Sequence, residues 1–233
     1  MTGRTGTVGP TLVYRDTSGR FQLYDGVVVA TSGDTTIQTN EWRHVCVMRS
    51  SGRSNLYVDG VKLGDDSAIN PSGVTNYTET QIKLADSINS VNLMTGYLSG
   101  VRVIVGSLPY DTEGFTPPTT LPEVTPDTKY YLEESNSSFS PYSNAKPSDR
   151  HTEMKSRALQ NFKGGSYVFD GSGNSIVSPP SSEYDLSGDK DFIIDFWLKP
   201  SLSSLQVILC LFTDGHNNFT IYTNSNNIIL EDK

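Results

Sequence analysis

The sequence has little of what several classes of protein need. Only 19% of its 233 residues are charged and the net charge is −8, so no basic stripe is available to release counterions from a nucleic acid. No apolar run is long enough to cross a bilayer, and the N-terminal MTGRTGTVGPTL lacks the apolar core of a signal peptide. We therefore expect no nucleic-acid partner and no membrane insertion.

Cysteine and histidine are also scarce. The two cysteines, Cys46 and Cys210, each lie in an apolar run, which predicts buried thiols and not a disulfide framework. The three histidines, His44, His151 and His216, share no motif with Ser and Asp that would indicate nucleophilic catalysis. Transition-metal spacing is absent too, so the sequence establishes no particular cofactor.

Short strand patterns dominate what is present. Gly, Ser, Thr and Asn recur between brief apolar stretches, and aromatic residues make up 10% of the chain, which favours an all-β fold. The stretch EWRHVCVMRSSGRSNLYVDGVKLG predicts a strand at Arg43–Arg49 paired with one at Asn55–Val58. Asp59-Gly60 then predicts a tight turn into a third strand.

Three later segments also predict strands. In TGYLSGVRVIVGS, Tyr97, Val101, Val103 and Val105 alternate with small or polar residues. DFIIDFWLKP and LQVILCLFTDG are rich in β-favouring side chains and too short for membrane-spanning helices, so they predict buried core strands.

A proline-rich segment gives the clearest boundary in the chain. Residues 116–128, TPPTTLPEVTPDT, contain four prolines in thirteen positions and predict an extended linker. The predicted organisation is one half-domain over residues 1–116, a linker over 117–128 and a second half-domain over 129–233.

These segments resemble a known family. Residues 164–200, GGSYVFDGSGNSIVSPPSSEYDLSGDKDFIIDFWLKP, resemble the opening of a laminin-G-like, concanavalin A-like jelly-roll repeat of the type strung along phage tail proteins. EWRHVCVMRSSGRSNLYVDGVKLG resembles the middle of such a repeat, and GYLSGVRVIVGSLPYDTEGFTPPT its ending. The resemblance implies an all-β fold, an antiparallel two-sheet jelly-roll sandwich, with its halves in reversed order.

The reversed order leaves several architectures open. An isolated half sandwich would expose an apolar sheet face and unpaired strand edges, which favours closure of the two halves into one circularly permuted sandwich. A fragment of a tandem array and strand exchange between neighbouring chains are the alternatives.

Some relatives of this fold hydrolyse glycosides with carboxylates arranged as Glu-x-Asp-x-x-Glu on one strand. In DFIIDFWLKP, Asp191 and Asp195 lie four residues apart and hence on the same face, but no Glu stands at either outer position. We interpret them as acidic residues near the edge of a strand and predict that the chain is not an enzyme.

A sugar site needs polar hydrogen-bonding groups and an exposed aromatic platform. The segment TDGHNNF is the densest such cluster, and two tyrosines are candidate platforms. Relatives of the fold often hold calcium at the sandwich rim, for which Asp65, Asp66 and Asp214 are candidate ligands. The predicted ligand-binding residues are Asp214, His216, Asn217, Asn218, Tyr77 and Tyr110.

The resemblance implies a non-catalytic module that binds a surface glycan, polysaccharide or receptor. Its expected place is a virion tail fibre or another exported, extracellular adhesive protein. The alternative is a structural spacer or oligomerisation domain without a ligand, acting through a homo-oligomer or neighbouring repeats.

Overall fold

The structure is a computed structural model in which β-strands are the main regular elements of the described residues. It describes residues 11–12, 22–24, 28–31, 40–63, 81–85, 94–120, 122–132, 146–147, 166–178, 180–186, 190–201, 206–213, 216–224 and 227–232. A short 3-10 helix spans Ser182–Tyr184. The strands are β1 (Thr11–Leu12), β2 (Gln22–Tyr24), β3 (Val28–Thr31), β4 (Arg43–Ser50), β5 (Arg53–Val58), β6 (Val61–Leu63), β7 (Gln81–Leu84), β8 (Thr95–Val105), β9 (Thr128–Leu132), β10 (Lys146–Pro147), β11 (Tyr167–Asp170), β12 (Ile176–Val177), β13 (Phe192–Pro200), β14 (Gln206–Thr213), β15 (His216–Asn224) and β16 (Asn227–Asp232).

Two large antiparallel sheets contain most of these strands. One has seven strands in the order β11-β8-β13-β4-β5-β6, with β9 also paired to β8. The other has six, in the order β10-β12-β7-β14-β15-β16, and a separate small sheet holds β1-β2-β3. The all-β, two-sheet sandwich predicted from the sequence is confirmed. Strands from before and after the proline-rich segment at 117–128 stand side by side in both large sheets, whereas the permuted order of the halves stays a prediction.

The hairpins at the start of the seven-stranded sheet are those predicted from the sequence. β4 pairs with β5 in a register that sets Val45 opposite Val58, and β5 pairs with β6. The turn at Asp59-Gly60 has both residues at positive φ, 51° and 77°, as a tight hairpin turn requires. Local turn chemistry therefore fixes this register.

The core lies between the two large sheets. β4, β5, β8 and β13 present one face to it, and β7, β12 and β14 contribute from the opposite sheet. We call the core-facing side of the seven-stranded sheet its inner face. Large side chains from both sheets fill the core, among them Phe169, Phe192, Phe196, Tyr130 and Leu84.

A β-bulge in β8 divides the opposite, outer face. Arg102 lies opposite Asp195, but Ser99 lies opposite Trp197, so two residues of β8 stand against the single residue between Asp195 and Trp197. The extra residue reverses the side-chain alternation: Leu98 points into the core, and Tyr97 points to the outer face. The sequence predicted Tyr97 on the same face of the strand as Val101, Val103 and Val105. This prediction is wrong, because the extra residue of the bulge moves Tyr97 to the opposite face.

Candidate functional site

The outer face of the seven-stranded sheet is partly buried by a segment that follows β8. Apolar side chains of β4, β5, β8 and β13 line the middle of this face: Cys46, Met48, Tyr57, Ile104 and Ile193. Leu108, Tyr110 and Phe115 pack against them. We call residues 107–118 the cover segment. It ends at Pro117 and Pro118, the first prolines of the predicted linker.

Contacts with the β5–β6 hairpin hold the cover segment in place. The amide of Phe115 donates to the carbonyl oxygen of Gly60 at 3.0 Å, and the hydroxyl of Tyr57 donates to the carbonyl of Thr112 at 2.7 Å. A Cβ on Gly60 would lie 1.7 Å from the carbonyl oxygen of Phe115. Only glycine allows the two backbones to approach so closely.

Beneath the cover segment lies a buried charged cluster. The Nε and Nη2 atoms of Arg102 donate to the two carboxylate oxygens of Asp195 at 3.0 and 2.8 Å. The hydroxyl of Tyr110 donates to Oδ2 of Asp195 at 2.7 Å and accepts from Nη2 of Arg102 at 2.7 Å. Nε2 of His44 lies 3.6 Å from the same Oδ2 atom. The side chain of Asp195 is only 1% exposed and that of Arg102 5%.

This placement corrects the interpretation of Asp195 as an acidic residue near a strand edge. β13 lies between β4 and β8, and Asp195 is opposite Cys46 on one side and Arg102 on the other. An aspartate can occupy this central position because a bidentate arginine neutralises it. Asp191 does lie just before the strand, where its Oδ1 accepts from the amide of Ser51 at 2.8 Å.

The electrostatics of the cluster fix the protonation of two of its members. Burial by itself raises the pKa of a carboxyl group, but contacts with His44 and Arg102, and the charge of Arg102, outweigh it and lower the pKa of Asp195 to about 2. Burial, and then the negative charge of Asp195, raise the pKa of Tyr110 far above its usual value. At neutral pH the carboxyl is charged and the phenol protonated, so neither group is poised for proton transfer.

Aromatic rings enclose the imidazole of His44. The ring centroids of Trp197, Phe115 and Tyr110 lie 5.3, 5.7 and 6.2 Å from that of His44, all in edge-to-face arrangements. The rings of Tyr110 and Phe115 stack in parallel at 4.1 Å. Among the described residues, none hydrogen-bonds to Nδ1 of His44. The histidine is therefore packed between the sheet and the cover segment.

Beyond the cluster, at the end of the sheet where β8 begins, the outer face carries a second aromatic group. The rings of Trp42 and Tyr97 lie 6.2 Å apart at 54°, and Nζ of Lys199 lies 5.6 Å from the centre of the Tyr97 ring. Lys199 is opposite Tyr97 in the pairing of β13 with β8. All three side chains are partly exposed. We call them the Trp42–Tyr97–Lys199 platform.

The sequence alone does not predict this platform. Trp42 precedes a strand, and Tyr97 reaches the outer face only because of the bulge. The buried pair is more readable: Arg102 interrupts VRVIV and Asp195 interrupts FIIDFW, and two opposite charges inside apolar strands indicate mutual pairing.

The structure does not bring the predicted ligand residues together. Tyr110 belongs to the cover segment, with its hydroxyl bound by Arg102 and Asp195 and its ring stacked on Phe115. His216, Asn217 and Asn218 begin β15 in the other sheet. Asp214 and Tyr77 lie outside the described residues. Their role in ligand binding stays a prediction.

Within the described part of the chain, no group of three or more His, Cys, Asp or Glu side chains is arranged to hold a metal ion. The calcium candidates Asp65, Asp66 and Asp214 are outside that part. No helix in the described ranges has the length and apolar character needed to span a membrane.

Comparison with known proteins gives one match. Residues 3–109 match a family model described as the concanavalin A-like lectin/glucanases superfamily, of the laminin-G type. The matched region contains Trp42, His44, Tyr97 and Arg102, and it ends just before Tyr110. No curated protein and no solved structure matches the chain. The match confirms the laminin-G-like, concanavalin A-like resemblance predicted from the sequence.

Proposed function

We propose that this chain binds carbohydrate without catalysis, because residues 3–109 match the family model of the concanavalin A-like lectin/glucanases superfamily and such a domain suggests a carbohydrate-binding type of module. Its ligand is a surface glycan or polysaccharide. Its place is a virion tail fibre or another exported adhesive protein, where repetition of weak sites strengthens attachment.

The Trp42–Tyr97–Lys199 platform is the observation that carries this proposal. Sugars present apolar C–H faces and hydroxyl edges, and they bind where aromatic rings lie beside polar groups. Trp42 and Tyr97 offer two partly exposed rings on a rigid sheet. Lys199 supplies the polar group beside the rings, because its Nζ lies 5.6 Å from the centre of the Tyr97 ring.

The environment of Asp195 supports the non-catalytic part of the proposal. A retaining or inverting glycosidase needs two carboxyl groups that reach the sugar from either side. Asp195 is buried beneath Tyr110, and Arg102 and Tyr110 together occupy both its oxygens. A substrate could reach this carboxylate only after the cover segment had been removed.

One observation favours the alternative of a structural spacer. Among the described strands, β6 is the last of the seven-stranded sheet, and its Val61 is 62% exposed. An exposed edge strand with an apolar side chain is a site at which copies of a chain can associate. Association through β6 would serve a spacer without any sugar.

A glycan array tests the two functions directly. The purified chain is screened with and without calcium beside the Trp42→Ala variant, and light scattering gives the mass. We expect binding by the parent chain and about thirtyfold weaker binding by the variant, because aromatic residues dominate such contacts. Val61→Ala is the matched control, since it removes an exposed apolar side chain elsewhere on the same sheet.

The outcomes separate the hypotheses. Binding that Trp42→Ala weakens and Val61→Ala leaves unchanged supports the carbohydrate module. Absence of binding, together with oligomers that Val61→Ala dissociates, supports the spacer. Circular dichroism on each variant establishes that it is folded.

A further inference from the structure

Lys199 differs from the other basic side chains that the structure describes at this end of the sheet. Arg43 is shared between Glu41 and Asp59, at 2.7 and 2.8 Å. By contrast, no described carboxylate pairs with Lys199, whose ammonium group instead lies over the ring of Tyr97. The positive charge of Lys199 is therefore uncompensated within the described residues.

The position of this charge is specific. Lys199 stands on β13, opposite Tyr97 of β8, and the ring of Trp42 is within 6.2 Å of the Tyr97 ring. An ammonium group has three donors and no acceptor. A ligand seated on the two rings would thus meet a cation, and the matching group on the ligand is an anion.

We propose that the platform selects anionic glycans, with Lys199 pairing with an acidic group while Trp42 and Tyr97 contact the sugar ring. The inference rests on the proposed carbohydrate-binding function and names its ligand class. The net charge of −8 makes the contribution of Lys199 more important, because the protein as a whole repels polyanions. Attraction of an acidic polysaccharide then requires a local site.

The test measures affinity for three soluble polymers: polygalacturonate, which carries carboxylates, dextran sulfate, which carries sulfates, and neutral dextran. We expect Lys199→Gln to weaken binding of the favoured anionic polymer about tenfold and to reduce its dependence on salt. Lys199→Arg keeps the charge and should retain most of the affinity.

Lys129→Gln is the matched control for loss of one positive charge. Lys129 lies in β9, which pairs with the far part of β8, and its Nζ donates to the carbonyl of Pro126 at 2.9 Å. This variant should bind as the parent chain does. An equal loss in Lys129→Gln and Lys199→Gln would overturn the proposal, because it would indicate unspecific attraction.

The remaining outcomes separate this inference from the proposed function. Equal binding of dextran and both anionic polymers, unchanged by Lys199→Gln, overturns the selection of anions and leaves carbohydrate binding intact. Failure to bind any glycan on the array or any of the polymers overturns both. Preference between polygalacturonate and dextran sulfate identifies the acidic group.

Discussion

Replacing Asp195 by Asn should destabilise the fold by about 3–5 kcal/mol, because it leaves the guanidinium of Arg102 as an uncompensated charge in the interior. The geometry favours a loss of unfolding free energy in the upper part of the range usual for single substitutions. The parent pair is bidentate, both side chains are at most 5% exposed, and Tyr110 adds a third hydrogen bond to the same carboxylate. Asn has one carbonyl oxygen and no charge, so it cannot satisfy both donors.

Urea denaturation followed by tryptophan fluorescence measures this loss. In thermal unfolding, the same loss of about 3–5 kcal/mol lowers the melting temperature of a chain of this size by about 6–20 °C. Asp185→Asn is the control, since it removes the same charge from the exposed pair of Asp185 with Lys190 at 3.0 Å. We expect the control to cost less than about 1 kcal/mol. If Asp195→Asn cost no more than Asp185→Asn, the reasoning about the buried pair would be refuted.

The same pair predicts how stability depends on pH. The pKa of Asp195 falls from the ordinary 3.8 to about 2 on folding, so its contribution is present above about pH 4 and is lost as the pH falls towards 2. This difference in pKa corresponds to about 2 kcal/mol. The difference in unfolding free energy between the parent chain and Asp195→Asn should therefore be constant from pH 5 to 8 and shrink below pH 4. A difference that grew on acidification would contradict the assignment.

Three further predictions concern the cover segment and the sheet beneath it. Tyr110→Phe removes one hydroxyl from the charged cluster and should lower the unfolding free energy by about 1–2 kcal/mol in urea titrations, with little change in the fold. Gly60→Ala places a methyl group against the carbonyl of Phe115 at a φ of 77°, and should lower the melting temperature and speed proteolysis of residues 107–118. Burial, and then the charge of Asp195, raise the pKa of Cys46 well above its usual value, so peptide mapping should find this thiol unalkylated at pH 8 until the protein is unfolded.

The strands and hairpins were predictable because their determinants are local. The strand-forming residues of β4 and β5 and the Asp59-Gly60 turn act over a few residues, and the structure forms the predicted strands and turn there. The Arg102–Asp195 pairing was partly predictable as well, since each charge interrupts an apolar strand. What the sequence could not give was the identity of the neighbouring strands, because β8 and β13 are far apart in the chain.

The candidate site depended on features that the sequence does not display. Tyr97 reaches the outer face only because the bulge inserts one residue into β8, and no local pattern announces a single-residue insertion. The burial of Tyr110 depends on the path of the cover segment across the sheet. The polar composition of TDGHNNF predicts a site within one segment, whereas the aromatic platform is assembled from three separate segments.

The position of β13 between β4 and β8 also constrains how the molecule is made. While a ribosome is still synthesising residues before 192, the chain has no strand to join β4 to β8, and both would carry unpaired edges. Such long-range pairings make folding slow and leave partly synthesised chains prone to aggregation. We therefore expect the seven-stranded sheet to form late, once β13 has emerged, so that chaperone protection of the nascent chain matters more here than in a domain built from successive hairpins.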